Sequence, residues 1–139
     1  MEFWKDPQEA VTAISKMWEN IGKDAELREG ARKVNQLILF DYTEDGPDCA
    51  VWVDCRKDVF VVGTGKPSDT PDLTMSLSAD DAHRSWMNKL NPVMAITRKK
   101  IRVKGSATGL LKLVPKLKKV AVIYSKTLTE LGWADKIMK

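Results

Sequence analysis

Between Leu90 and Leu113 a helix restart, a basic strand and a leucine-rich turn follow one another with little slack. Leu90-Asn91-Pro92 opens the stretch, and the Asn-Pro pair predicts a short new helix from Pro92 through Ile96, because proline is at home in the first turn. Gly105 comes thirteen residues after Pro92. Between them Lys99 to Lys104 reads as a strand with Ile101 and Val103 inward and its basic residues outward. Gly105-Ser106 turns the chain into a helix through Leu113, and Pro115 breaks it. Two helices and a strand placed this way build an apolar lining, and the question is what that lining is for.

The rest of the chain supplies the frame. Asp6, Pro7 and Glu9 stand at N-cap, N1 and N3 spacing and open a first helix. Ala10, Val11, Ile14, Met17, Trp18 and Ile21 give it one apolar face, and Gly22 ends it. Lys23 to Lys33 is polar and charged, a turn or a short helix. Val34 to Thr43 is an apolar strand candidate, closed by the turn Glu44-Asp45-Gly46-Pro47. Cys49 to Cys55 is a second strand, with Cys49, Val51, Val53 and Cys55 on one side. Arg56-Lys57-Asp58 turns it back, so Val59 to Val62 is expected as its hairpin partner.

Gly63 to Pro71 is long enough to cross a sheet. Beyond it Leu73, Met75 and Leu77 alternate with Thr74, Ser76 and Ser78, a half-buried strand. Ser78 with Asp81 at N3 then starts a helix whose apolar face holds Ala82, Trp86 and Leu90, with Met87 beside them. The last helix runs from Lys116 to about Leu131 and stops at Gly132. Helix, three strands, crossover, strand, helices, strand, helices is the order expected of one α+β domain over residues 1–139. Its sheet is five-stranded, mostly antiparallel and covered by helices.

Bulk properties narrow the function. At 139 residues the chain fits one domain with a real core. No run approaches the roughly 18 apolar residues of a membrane span. The start lacks the basic and apolar regions of a secretory signal, and the terminal Lys136-Ile137-Met138-Lys139 is not a peroxisomal address, so a cytoplasmic location is expected. Cys49 and Cys55 on one strand would stand about 20 Å apart, too far for a disulfide, and read as free buried thiols. Residues 1–83 hold nine Lys/Arg against seventeen Asp/Glu and residues 84–139 fourteen against two, so a net +4 hides halves of −8 and +12. Either the halves pack together and neutralise each other, or the basic half meets an anionic membrane or nucleic acid.

Catalytic signals are poor, and no enzyme activity is expected. His83, the one histidine, lies in a charged helix start and reads as a solvated surface residue. Asp80 and Asp81 suit the helix dipole better than paired acid–base chemistry. One histidine and two thiols without a Cys-x-x-Cys make a poor zinc set, so neither metal nor cofactor is expected. Gly63-Thr64-Gly65-Lys66 lacks the spacing and the Ser/Thr of a phosphate loop. Arg98-Lys99-Lys100, Arg102 and Lys104 form a basic ladder without interleaved exposed aromatics, which makes nucleic acid an improbable partner. In the last helix Leu117, Val120, Ala121, Tyr124, Leu128 and Leu131 form one stripe, while Val122 and Ile123 fall off it. That surplus of apolar surface points to core packing, a ligand cavity or a homodimer contact.

Three stretches carry a resemblance to a known family. They are Leu73-Thr74-Met75-Ser76-Leu77-Ser78, Lys89-Leu90-Asn91-Pro92-Val93-Met94-Ala95, and Lys100-Ile101-Arg102-Val103-Lys104-Gly105 leading to Lys112-Leu113. In this order they resemble the sterol-carrier-protein lipid-binding domain, firmly from about Asp72 to Lys119. The resemblance implies a five-stranded sheet covered by helices around a hydrophobic tunnel, and non-catalytic binding of fatty acid, acyl-CoA, phospholipid or sterol. Carried over by position, the tunnel lining would include Met75, Leu77, Trp86, Met94 and Ile96. It would continue with Leu110, Leu111, Leu113, Leu117, Val120 and Tyr124. Where the family often has Gln-Gly this chain has Arg98-Lys99, which would pair an anionic headgroup and favour acyl chains over sterol. Where the family often has Gly after the next helix start, this chain has Thr108, with Gly109 one place later. The alternative use of the same fold is a protein-interaction or dimerisation module without a lipid.

Overall fold

The computed structural model describes residues 2–139. Helix α1 is Pro7–Ile21, and the Asp6 side chain accepts from the Glu9 amide as its cap. Helix α2, Ala25–Val34, is capped by Asp24 and closed by Asn35 in the left-handed region at φ 52°. It settles the ambiguous polar stretch as a helix and absorbs Val34, so the first strand starts later than its composition suggests. That strand, β1, is Leu37–Asp41, followed by β2 (Ala50–Asp54), β3 (Val61–Thr64), β4 (Leu73–Ser76) and β5 (Arg102–Gly105). Between β4 and β5 lie α3 (Ala79–Trp86) and α4 (Pro92–Thr97), and after β5 come α5 (Thr108–Leu111) and α6 (Leu117–Glu130).

The sheet order is β3-β2-β1-β4-β5. The pair β1–β4 is parallel and the other three pairs are antiparallel. Gly63 and Thr64, expected in the connection, end β3, and residues 65–72 cross from one edge of the sheet past two strands. The β2–β3 hairpin forms, but its second strand begins at Val61 rather than Val59. Lys57 and Asp58 both take positive φ and lengthen the turn.

Register decides which face is buried. Phe40 stands opposite both Val51 and Met75, Ile38 opposite Val53 and Leu73, and Met75 opposite Val103. Paired residues share a face, so these form one apolar surface. Val51, Val53, Ile38, Phe40, Leu73 and Met75 on it are buried. The opposite face carries Leu39, Trp52, Thr74, Ser76, Arg102 and Lys104, half-buried or exposed. Gly105, at φ 99°, lets β5 approach β4 closely, since a Cβ there would meet the Asp72 carbonyl oxygen at 2.2 Å.

Both chain ends dock on α3. Asp80 accepts from the amides of Glu2 and Phe3, and the Trp4 indole donates to the Ala79 carbonyl at 3.1 Å. His83 is a correction to the sequence reading: it is fully buried, not solvated. Its Nδ1 lies 2.7 Å from the Tyr124 hydroxyl on α6 and its Nε2 2.9 Å from the Lys136 carbonyl. A carbonyl only accepts, so Nε2 carries the proton and Nδ1 accepts from Tyr124. Lys136 in turn donates to the Phe3 carbonyl at 2.7 Å and pairs with Glu9 at 2.8 Å. Burial raises Glu9, but its hydrogen bond and charge contact with Lys136 win and hold its carboxyl below the ordinary range.

Candidate functional site: an apolar cavity

Between the apolar sheet face and the helices lies a cavity offering ≈ 80 Å³ to the centre of a water-sized sphere. A single water needs about 10–15 Å³ on that measure. Its floor is Phe40 and Tyr42 from β1 and its end, with Met75 and Leu77 from β4. One wall is Trp18 and Ile21 of α1 with Leu27 and Ala31 of α2. Ala82, Ser85 and Trp86 of α3 form another, extended by Pro92 and Ile101. Leu110, Leu111, Leu113 and Val114 close it, together with Leu117 and Val120 of α6. The surface these residues expose is almost wholly apolar, and none of the lining side chains ionises near neutral pH.

Of the residues placed in the lining by resemblance, Met75, Leu77, Trp86, Leu110, Leu111, Leu113, Leu117 and Val120 are brought together here. Three stand elsewhere. Met94 is 46% exposed, because α4 turns that side outward and buries Ala95 instead. Ile96 is half-buried against the core beside the cavity. Tyr124 lies one helical turn beyond Val120 and is held to His83. Arg98 and Lys99 are exposed at the end of α4, on the segment between the lining residues Pro92 and Ile101. Trp18, Ile21, Leu27, Ala31, Phe40 and Tyr42 come from the first third of the chain and were not singled out as lining. Their local signal is only that of an ordinary apolar helix face or strand.

An aromatic cluster organises the inner end. Trp18 stacks on Phe40 with centroids 5.4 Å apart, and Trp86 meets both edge-on at 5.5 and 5.7 Å. Such pairs prefer stacked or edge-to-face geometry and hold one another in place. Within this wall Trp18 Nε1, Trp86 Nε1, the Tyr42 hydroxyl and Ser85 Oγ are all buried without a hydrogen-bond partner. Burial drives the Tyr42 phenol well above its usual range. The nearby Trp86 indole opposes this slightly without completing a hydrogen bond in good geometry.

The two cysteines lie inside the fold. Both are buried and unpaired, and burial, with Asp45 and Asp41 nearby, pushes the Cys49 thiol up to about 11. Cys55 is raised by burial as well. Among the described residues no group of His, Cys, Asp and Glu is arranged to hold a metal ion. No described helix is long and apolar enough to cross a membrane.

The charge asymmetry resolves into two parts. Lys116 pairs with Glu26 at 2.9 Å, Lys119 with Asp24 at 3.0 Å, Lys136 with Glu9, and Arg84 with Glu2. So the acidic half does neutralise part of the basic half. Arg98, Lys99, Lys100, Arg102 and Lys104 remain exposed, and among the described residues none of them forms an ion pair.

This layout recurs in solved structures. The sterol carrier protein domain 2 of Helicoverpa armigera superposes with a TM-score of 0.64 at 21% identity, over 81% of this chain and 89% of that one. Apo sterol carrier protein 2 of Yarrowia lipolytica gives 0.58 at 19%, over 86% and 94%. In sequence the chain is 33% identical over 94 residues to hydroxysteroid dehydrogenase-like protein 2 of Bos taurus, which is 67% of this chain. It spans only 22% of that relative, so the match concerns one portion of a longer protein. The sequence pattern of the SCP-2 sterol transfer family covers residues 15–118, from the middle of α1 into the start of α6 and so across the whole sheet and most of the cavity wall. The chain belongs to that family.

Proposed function

We propose that this protein binds and carries a lipid in the cavity beneath α2, α5 and α6, without catalysing a reaction on it. The observation that carries the reading is the apolar cavity itself, enclosed by the same layers that solved sterol carrier proteins share with this chain. The non-catalytic part is supported by the lining, in which no side chain is a general acid, a general base or an activated nucleophile. Transfer of a chain into this space is driven by about 0.8 kcal/mol per buried methylene. An acyl chain or sterol needs more room than the cavity now offers, since ligand pockets usually span about 300–1,000 Å³. The wall best suited to yield is α5, only four residues long, because few intrahelical bonds hold so short a helix.

The unpaired basic ladder from Arg98 to Lys104 suits a transient approach to an anionic membrane or to a ligand headgroup. Val93 and Met94, both nearly half exposed on α4, add apolar contact next to it. Native mass spectrometry of the purified chain tests the main reading: we expect one lipid per chain, released by solvent. A bare mass that neither phospholipid, fatty acid nor sterol shifts would overturn it. Docking on anionic vesicles should weaken steeply between low and physiological salt, and salt-independent binding would remove the membrane part. One observation favours a second reading, a dimer through α6: Val122 is 52% exposed at the middle of the helix. A concentration-dependent dimer, lost in Val122→Lys, would support it.

A further inference from the structure

Behind the apolar surface of the cavity, at its inner end, the wall holds polar atoms. Two indole N–H groups and two hydroxyls lie there with no partner, and Trp18, Tyr42 and Ser85 are more than nine-tenths buried. Leaving a buried donor unpaired costs about 1–3 kcal/mol, and native interiors rarely tolerate several together. All four residues line this one space, and the Trp18 and Trp86 rings stand 5.5 Å apart. An indole N–H can only donate, while a hydroxyl turns to suit. The set is therefore complementary to an acceptor oxygen. No cationic side chain lines the space, and an isolated carboxylate or phosphate there would remain uncompensated. From this we infer that the cavity selects lipids carrying an uncharged acceptor oxygen, a hydroxyl or an ester carbonyl, which docks between Trp18, Tyr42, Ser85 and Trp86. The inference rests on the lipid-binding reading and deepens it. An anionic headgroup, where the lipid has one, stays outside with Arg98 and Lys99.

Matched probes test it. Hexadecane and methyl palmitate differ by an ester; cholestane and cholesterol differ by a hydroxyl. Each is presented from cyclodextrin to the full chain and scored by native mass spectrometry, with palmitate at pH 8 as the anionic arm. We expect the oxygenated member of at least one pair to bind about tenfold tighter than its hydrocarbon, the margin that one net hydrogen bond sustains. The pair that shows it tells ester from sterol. The margin should shrink severalfold in a Tyr42→Phe/Ser85→Ala double variant and in Trp18→Phe. Using the ratio within each pair removes any general loss of affinity, and should a variant not fold, the ranking on the unaltered chain decides. Equal binding within both pairs, or palmitate outranking methyl palmitate, overturns the inference while lipid binding stands. Failure of every probe overturns both.

Discussion

Two buried aromatic–polar clusters meet α3, one around His83 and one around Trp86, and they treat their polar atoms in opposite ways. On the terminal side, both ring nitrogens of His83 are bonded, Tyr124 is bonded, the Trp4 indole reaches a carbonyl, and Lys136 has a carboxylate and a carbonyl. On the cavity side, Trp18, Tyr42, Ser85 and Trp86 have no partners. Aromatic packing is similar in both. His83 meets Phe3, Trp4 and Tyr124 within 5.4 Å, much as Trp18, Phe40 and Trp86 meet one another. Hydrogen bonding is complete around His83 and incomplete around Trp86. A satisfied network specifies structure, whereas buried polar atoms left without partners in the wall of a cavity ask for an explanation, and the proposed ligand supplies one.

Truncation by His83→Ala removes a fully buried ring and orphans both the Tyr124 hydroxyl and the Lys136 carbonyl. We expect a loss of about 3 kcal/mol, read as a lower urea midpoint at unchanged slope. A loss below about 1 kcal/mol would mean that the network is not structural. Next comes Lys136→Met, which strips Glu9 of its partner and frees the N-terminal segment. Both side chains are only about 15% exposed. The pair thus falls between surface and interior cases, and about 2 kcal/mol is expected. The double variant with Glu9→Gln should recover part of it, and strict additivity would show that the two do not couple.

These clusters were not equally legible. The caps at Asp6 and Ser78 and the alternation at Leu73, Met75 and Leu77 are local, and the structure follows them. His83 was misread because Asp80, Asp81 and Arg84 surround it in sequence. The helical wheel holds the answer, since Ala79 is four residues before His83, on the same side, and both are fully buried. Half of the cavity was out of reach for another reason. Eight lining residues follow from the family resemblance, but Trp18, Leu27, Phe40 and Tyr42 arrive from elements more than thirty residues upstream of Leu73, with β1 brought in by the parallel β1–β4 pair. No local period encodes which apolar face closes on which. The unmet polar atoms were invisible for the same reason, because a partner's absence is a property of the assembled space.

A gentler break uses acid. Burial, the largest influence on His83, lowers its proton affinity below the ordinary value of 6.5. The nearby charges of Lys136 and Arg84 act the same way, while the bond to the Lys136 carbonyl and the charge of Asp80 oppose them. The native state thus binds this proton less well than the unfolded chain. Its contribution is fully present above pH 6.5 and is lost as the pH falls below that value toward the lowered native one. The slope cannot exceed about 1.4 kcal/mol per pH unit for one group. As the chain's one histidine, His83 owns the limb between pH 6.5 and 5, before the carboxylates titrate. Urea midpoints in that range should fall in the unaltered chain and flatten in His83→Phe. An equal fall in both would assign the acid limb to other groups.

The sharpest test makes the same small change on both sides. Tyr124→Phe deletes a hydroxyl that is bonded to His83 and leaves Nδ1 unpaired, so a loss of about 1–2 kcal/mol is expected. Tyr42→Phe deletes a hydroxyl that is equally buried but has no partner. Removing an unmet polar atom relieves its desolvation, so stability without lipid should be unchanged or rise by up to about 1 kcal/mol. The sign should then depend on ligand. With a lipid whose oxygen meets Tyr42, the unaltered chain gains more from saturation than Tyr42→Phe does, because stabilisation by a ligand follows its affinity. Thermal unfolding of both variants, with and without added lipid, therefore separates a hydroxyl that holds the fold from one held in reserve for a ligand. Equal losses without lipid would mean that Tyr42 is structural too, and that the contrast between the two clusters does not exist.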